Sequence, residues 1–167
     1  KMNIVIAIDS LKGSLTSLEA GQALAEGIAR VLPSASLCVR PLADGGEGTV
    51  EALVSDMDGV FQQITVTGPL GEPVTCTYGM IEKKQTAILE MSQAAGLTLV
   101  PEEKRNPMFT TTFGVGEMIL DAMKKGCRRF LVGIGGSATN DGGVGMLQAL
   151  GFEFFDAQGA PILPGAQ

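Results

Sequence analysis

The sequence contains no histidine and no tryptophan, and it has only one tyrosine and three cysteines among 167 residues. Without histidine, a Ser-His-Asp or Cys-His catalytic pair and a His-ligated zinc ion are excluded within these residues. The cysteines at positions 38, 76 and 127 form no C-x-x-C pair, so neither a disulfide framework nor a zinc cage is expected. Each lies in or beside an apolar run, which predicts small buried side chains and fits a reducing cytoplasm.

Basic residues are also scarce, since 12 Lys and Arg stand against 18 Asp and Glu and give a formal net charge of −6. This balance and the absence of tryptophan speak against a nucleic-acid partner. The apolar run at residues 4–8 is too short for a membrane span of ~20 residues, so no membrane partner is expected. The 45% apolar content instead predicts a globular chain with a core.

Apolar periodicity predicts an α/β fold with a parallel sheet for the first part of the chain. Residues 3–8 form a β-branched run typical of a strand that is buried on both faces. Residues 15–32 carry a helical stripe, which Ser14 or Thr16 can cap and Pro33 ends. A second strand at residues 35–42 and a helix from residue 49 follow. In such folds, ligands bind beyond the carboxyl ends of the strands.

The pattern changes after residue 67. Alternating segments separated by turns predict an antiparallel meander over residues 61–67, 74–81 and 86–91. Further on we expect a helix, a buried strand, a second helix and a short strand, at residues 113–125, 129–134, 144–150 and 152–155. We therefore assign residues 1–67 to one α/β domain and residues 68–167 to the start of a second. We also expect the chain to be the N-terminal portion of a longer protein.

Three glycine-rich loops, each after a predicted strand, hold the candidate functional residues. The first loop carries Asp9, Ser10, Lys12, Gly13 and Ser14. The second loop carries Asp44, Gly45, Gly46 and Glu47, and the third carries Gly135, Gly136, Ser137, Asn140 and Asp141. Glycine lets backbone N–H groups approach an anion closely, and a helix N-terminus after the loop adds partial positive charge. Each loop is therefore predicted to cradle a phosphate or a carboxylate.

Other interpretations of the loops stay open at this point. The first lacks Walker A spacing and could be a capped turn with a solvated lysine. In the second, Asp44 and Glu47 could bind a metal or cap the following helix. The third begins with G-x-G, but Ala138 breaks the dinucleotide-binding fingerprint, so an NAD-dependent oxidoreductase is disfavoured.

Five motifs occur in order along the chain: A-x-D-S-x-K-G-S at 7–14, L-A-D-G-G-E-G-T at 42–49, T-G-P-L-G at 67–71, R-N-P with T-T-T at 105–112, and G-I-G-G-S-A-T-N-D-G-G at 133–143. In this combination the sequence resembles the type-1 glycerate kinase family. It departs from the family at Ile8, Leu11 and Val115, where the family usually has Pro, Phe and Thr. The resemblance implies a flavodoxin-like parallel α/β domain with a second α/β domain of mixed sheet inserted into it. It covers the whole chain, but only the N-terminal half of a family member.

The resemblance also implies an activity: transfer of the γ-phosphate of ATP to D-glycerate, with Mg²⁺, to give 2-phosphoglycerate. It points to Asp9, Lys12 and Asp44 as catalytic residues, with Lys12 facing the phosphates. Asp44 and Glu47 are the candidate Mg²⁺ ligands, and the remaining loop residues are candidates for binding phosphate or substrate. The alternatives are a non-catalytic nucleotide- or anion-binding domain, or a kinase of another small hydroxy acid. A homodimer is left open.

Overall fold

The structure, a computed structural model, describes residues 2–11, 14–42, 45, 46 and 48–162, without the side chains of residues 55 and 56. Four predicted site residues, Lys12, Gly13, Asp44 and Glu47, lie outside these described residues. The roles predicted for them stay predictions. Within the described ranges, no helix has both the length and the apolar character that crossing a bilayer requires.

A small parallel sheet forms the first part of the molecule. It consists of β1 (Asn3–Ile8) and β2 (Ser36–Pro41), joined by helix α1 (Ser17–Val31). Thr16 begins the helix as part of a capping box: its hydroxyl accepts from the Glu19 N–H, and the Glu19 carboxylate accepts from the Thr16 N–H at 2.9 Å. The parallel pairing and the cap at Thr16 are therefore confirmed.

A mixed four-stranded sheet forms the second part, reached through helix α2 (Thr49–Asp56). Its strands lie in the order β3 (Val60–Thr67), β4 (Pro73–Ile81), β5 (Thr86–Glu90) and β6 (Arg129–Gly133). The first three are antiparallel, as the meander predicts, whereas β6 is parallel to β5. Helix α4 (Phe113–Lys124) makes the crossover that a parallel pair needs.

The second sheet is covered on both faces at its inner strand β5. Ile88 and Leu89, successive residues of β5, enter two different apolar clusters because side chains alternate along a strand. Leu89 belongs to the main core, with Tyr78 of β4 and Met118 of α4, and short helix α3 (Ser92–Ala95) adds two buried alanines. Ile88 packs with Val54 of α2 on the other face. The chain is thus an α/β protein with one parallel and one mixed sheet.

Four expectations from the sequence are wrong. Residues 3–8 and 129–134 form the expected strands, but neither strand is buried: β1 buries only Ile6, and no residue of β6 is buried. Helix α1 packs on one face of the first sheet only, and β6 is the last strand in the order of the second sheet.

The other two concern the end of the described chain and the cysteines. The strand expected at residues 152–155 is not formed: after helix α5 (Val144–Ala149), the described chain has only an isolated bridge between Phe155 and Pro161. Within the described ranges, no neighbouring strand supplies a ladder for this alternating segment. Cys76 and Cys127 are buried, but Cys38 is exposed. Cys38 pairs with Val5 on the face of the first sheet that α1 leaves uncovered.

Candidate functional site

The second and third glycine loops contact each other directly. The Gly135 N–H donates to the Gly45 carbonyl oxygen at 3.0 Å. A Cβ at Gly135 would lie 2.8 Å from the Gly46 Cα, and one at Gly133 would overlap the Gly45 carbonyl oxygen. Only glycine allows backbones to approach this closely at positions 133 and 135. The structure therefore brings together two loops that are almost ninety residues apart in the chain.

The third loop is also tied to the segment that follows β5. The Met91 N–H donates to the Gly133 carbonyl at 2.9 Å, and the Leu97 N–H donates to the Gly136 carbonyl at 2.8 Å. In the opposite direction, the Ala138 N–H donates to the Ala95 carbonyl at 2.9 Å. These bonds fix the backbone of the third loop on the buried sheet.

The first and second loops share a cleft of about 600 Å³. Ser10 and Ser14 line it from the first loop and Gly48 from the second. Glu90 lines it from the end of β5, and Gln93 lines it from α3. Asp9 stands next to this cleft at the end of β1, where its Oδ1 accepts from the Ser10 N–H at 2.7 Å. The Ser14 N–H donates to the Leu11 carbonyl at 2.8 Å and closes the loop before α1.

Hydrogen bonding keeps a negative charge at the rim of this cleft. Glu19, another cleft residue, accepts from both the backbone N–H and the hydroxyl of Thr16 at 2.9 Å. These bonds, the backbone one first, lower the pKa of Glu19 below its usual value.

The second loop leads into α2 without a local side-chain cap. Gly48, the N-cap residue, has φ 89° and offers no side-chain oxygen to the first-turn N–H groups. The Thr49 hydroxyl donates back to the Gly46 carbonyl at 2.7 Å. The Val50 N–H donates instead to Oε1 of Glu90, which is only 3% exposed, at 2.8 Å. A residue forty positions away in sequence therefore caps this helix.

Glu90 is a cleft residue that the sequence reasoning missed. Its partner, the Val50 N–H, is identifiable only once β5 and α2 are packed together. A signal was present, however: Glu90 is a carboxylate at the carboxyl end of a fully buried strand, as Asp9 is at the end of β1.

The polar side chains of the third loop line a second cavity. This space, of about 330 Å³, is bordered by Ser137, Asn140 and Asp141, with Thr112 and Met146. Ser137 is exposed, and its hydroxyl accepts from the Thr139 N–H at 3.1 Å. The third loop therefore contacts the second through backbone atoms. The predicted site side chains of the third loop, however, line the second cavity and not the cleft that the first loop lines.

Asp141 is buried and already well bonded. Its carboxylate accepts from the Thr112 hydroxyl at 2.8 Å and from three backbone N–H groups, those of Thr112, Gly143 and Gly145, at 2.9, 3.0 and 3.2 Å. Asp141 thus ties the start of α4 to the start of α5. Its predicted part in binding phosphate or substrate stays a prediction.

Among the described residues, no group of three or more Asp, Glu, Cys or His side chains could hold a metal ion. Asp44 and Glu47, the predicted Mg²⁺ ligands, flank the described Gly45 and Gly46 but lie outside the described part of the chain.

Comparison with known proteins connects this arrangement to one family. The family model described as the glycerate kinase family matches residues 4–167. A glycerate kinase of Bacillus subtilis (strain 168) is 52% identical over 98% of this chain and 43% of its own length. Glycerate 2-kinase of Escherichia coli (strain K12) is 50% identical over 96% of this chain and 42% of its own length.

A solved structure of a similar protein has the same fold. The crystal structure of a Salmonella typhimurium LT2 protein assigned provisionally as glycerate kinase 2 superposes with a TM-score of 0.84 at 49% identity. The match covers 98% of this chain and 44% of that one. The chain therefore spans less than half the length of the proteins that it matches.

Proposed function

The chain belongs to the glycerate kinase family, and from this we propose that the full-length protein transfers the γ-phosphate of ATP to a hydroxyl of D-glycerate, forming 2-phosphoglycerate. The observation that carries the proposal is the contact between the second and third glycine loops, beside a cleft that the first two loops line. Phosphoryl transfer depends on positioning and on neutralising phosphate charge, which backbone N–H groups and helix N-termini can supply.

The first two loops supply the charged groups in this proposal. Lys12 neutralises the phosphates of ATP, and Asp9 or Asp44 accepts the proton of the attacking hydroxyl. As the hydroxyl oxygen bonds to the γ-phosphorus, the bond from that phosphorus to the β–γ bridging oxygen breaks and ADP leaves. Ser10, Gly13 and Ser14 bind phosphate oxygens, together with the backbone of Gly45 and Gly46.

The third loop supplies neutral contacts. The backbone of Gly135, Gly136 and Ser137 binds a phosphate or the glycerate carboxylate, and the Asn140 amide hydrogen-bonds a substrate hydroxyl. Asp141 keeps this loop in shape through its four donors.

Asp44 and Glu47 are the residues that would hold Mg²⁺. The ion usually takes one or two protein carboxylates and completes its shell with phosphate oxygens and water. These two residues fit that need because Gly45 and Gly46 between them lie against the third loop, and Gly48 of the same loop lines the cleft. When bound, Mg²⁺ would neutralise charge on the β- and γ-phosphates.

The finer fold is part of the proposal. We propose a flavodoxin-like domain around the first sheet, into which the second, mixed-sheet domain is inserted. We place the change between β2 and α2 rather than after residue 67, because β3 pairs with β4 along its length and α2 packs on the second sheet. The apolar residues on the uncovered face of β1 and β2, which are Val5, Ala7 and Cys38, support a covering layer from the remaining length that the relatives have.

The direct test incubates the full-length protein with ATP, Mg²⁺ and D-glycerate, and follows both ADP release and the phosphorylated product. Product that enolase dehydrates without any mutase is 2-phosphoglycerate. We expect Lys12→Ala and Asp44→Asn to remove most of the activity while leaving the melting temperature within a few degrees of the parent.

The alternatives give different results. A non-catalytic nucleotide-binding domain would melt at a higher temperature with ATP but release no ADP. A kinase of another hydroxy acid would phosphorylate D-lactate or L-glycerate faster than D-glycerate. Full activity of Lys12→Ala would overturn the role given to that residue.

A further inference from the structure

We propose that Glu90 is a positioning residue, which fixes the second glycine loop across the ends of β5 and β6. The proposal rests on the kinase function above, since it concerns how one of the proposed binding loops is held. Glu90 is neither in the glycine motifs nor near the second loop in sequence.

The first argument is the backbone N–H that Glu90 satisfies. A helix leaves its first N–H groups without intrahelical partners, and α2 begins at a glycine that has no side chain to accept from them. Oε1 of Glu90 accepts from the Val50 N–H at 2.8 Å. A carboxylate at this helix end is further stabilised by the partial positive charge of the helix N-terminus.

The second argument is burial. The Glu90 side chain is 3% exposed, and a carboxylate removed from water is costly unless charged or hydrogen-bonding partners compensate. At the same place a neutral apolar side chain would avoid that cost but leave the Val50 N–H unpaired. A buried carboxylate at position 90 is therefore explained by its task of accepting the hydrogen bond from the Val50 N–H at the start of α2.

The third argument is the geometry of the loop. Glu90 and Gly133 are register partners at the carboxyl ends of the parallel strands β5 and β6. Beyond Gly133, the Gly135 N–H holds the Gly45 carbonyl, while Glu90 holds the Val50 N–H on the far side of the loop. The second loop is thus attached at both ends to two neighbouring strands of one sheet.

The position of Glu90 connects this attachment to the cleft. Glu90 lines the cleft with Gly48, so displacement of the loop changes the wall that a ligand meets. Since Asp44 and Glu47 belong to the same loop, Glu90 acts through them and needs no contact with the reacting atoms. The conservative variant Glu90→Gln keeps an acceptor oxygen of nearly the same reach, whereas Glu90→Asp falls short by one methylene.

The first experiment measures kcat and KM of Glu90→Ala, Glu90→Asp and Glu90→Gln in the full-length protein. We expect kcat/KM to fall on the order of 10- to 100-fold in the first two, which is the worth of a charge-assisted hydrogen bond. Glu90→Gln should stay within about threefold, because its amide oxygen still accepts from the Val50 N–H. Glu82→Ala, which removes an exposed carboxylate from the turn after β4, is the control and should leave kcat/KM unchanged.

The second experiment separates positioning from a general loss of structure. In an Asp44→Asn background, Glu90→Ala should lower kcat/KM by less than about threefold, because the loop residue that it positions is already gone. A merely structural role would lower kcat/KM by the same factor in both backgrounds. Hydrogen exchange of the amides at residues 45–50 should quicken in Glu90→Ala and Glu90→Asp but not in Glu90→Gln.

The outcomes are distinguishable. If Glu90→Gln is as impaired as Glu90→Ala while its amide exchange is unchanged, the charge acts directly and the positioning role is wrong. If Glu90→Ala matches the parent in both kinetics and exchange, the role is also wrong. If the parent protein does not phosphorylate glycerate, the proposed function fails, and the exchange measurement alone still decides whether Glu90 holds the loop.

Discussion

Strand β5 of the second sheet and strand β1 of the first are both apolar, but they are buried to very different degrees. In the second sheet, all five residues of β5 are buried, and clusters lie on both faces. In the first sheet, β1 buries only Ile6, and Val5 is 66% exposed. Parallel strands of β-branched residues are typical of sheets covered on both faces. The comparison shows that β1 has the sequence of a buried strand, whereas among the described residues nothing packs on the face that carries Val5.

The largest effect is expected where the second sheet is most tightly packed. Leu89→Ala removes a side chain with 0% exposure from the main core and leaves a cavity, so the free energy of unfolding should fall by ~2–5 kcal/mol. Urea unfolding followed by circular dichroism measures this. Met123→Ala on α4, where the side chain is 41% exposed, should cost less than ~1 kcal/mol. Equal losses would contradict the assignment of the core.

A smaller effect is expected at the junction of α4 and α5. Asp141→Ala leaves four donors without their acceptor, and buried unpaired donors should lower the free energy of unfolding by about 2–3 kcal/mol. Asp156→Ala is the matched control: Asp156 accepts from two backbone N–H groups in an exposed turn, so its loss should cost ~1 kcal/mol or less. If Asp141→Ala is no worse than the control, Asp141 has no structural task and its interpretation as a phosphate- or substrate-binding residue gains weight.

Local patterns in the sequence predict the elements of this fold well. Helix α1 begins at the capping box of Thr16, and the glycine loops fall at strand ends because their residue types encode a turn before a helix. The parallel pairing of β5 with β6 was not predicted. A buried strand pairs through backbone groups that are the same in every residue, so its neighbour depends on the packing of α4.

The site was predictable only in part for the same reason. The glycines at 133 and 135 indicate that another backbone segment packs closely against them. That this segment is Gly45 is visible only in the folded structure. The separation of Asn140 and Ser137 from the cleft of the first loop depends on how α5 packs on α4. Glu90 was missed because a carboxylate at a strand end can cap a helix, bind a ligand or face solvent, and its contact with the Val50 N–H is visible only in the folded chain.

Val5→Thr tests the missing cover of the first sheet. The variant keeps the shape and β-propensity of the side chain but replaces one methyl group with a hydroxyl. At an exposed position it should change the free energy of unfolding by less than ~0.5 kcal/mol. Beneath the covering layer proposed for the full-length protein, the unpaired hydroxyl should cost ~1–2 kcal/mol in urea unfolding. A loss of less than ~0.5 kcal/mol in the full-length protein would contradict the covering layer, because it would show that Val5 stays exposed there.

The smallest effect is expected where the buried Tyr78 of β4 meets α4: its hydroxyl donates to Asp121 Oδ2 at 2.6 Å, and Lys125 Nζ donates to the same oxygen at 2.8 Å. Burial alone would raise the pKa of Asp121, but the hydrogen bonds from Lys125 and then Tyr78 outweigh it and lower the pKa. Tyr78→Phe should therefore reduce the free energy of unfolding by ~1 kcal/mol at pH 7.

The sign of the pH dependence follows from that lowered pKa. A carboxylate with a lowered pKa stabilises the folded state above its unfolded pKa, close to 3.8, and this contribution is lost as the pH falls through the folded value. The difference between the parent and Tyr78→Phe should accordingly shrink between pH 7 and pH 3 in urea titrations. A difference that stays constant over that range would show that the Tyr78 hydroxyl contributes equally whether Asp121 is charged or neutral, and that the hydrogen bond does not account for the lowered pKa of Asp121.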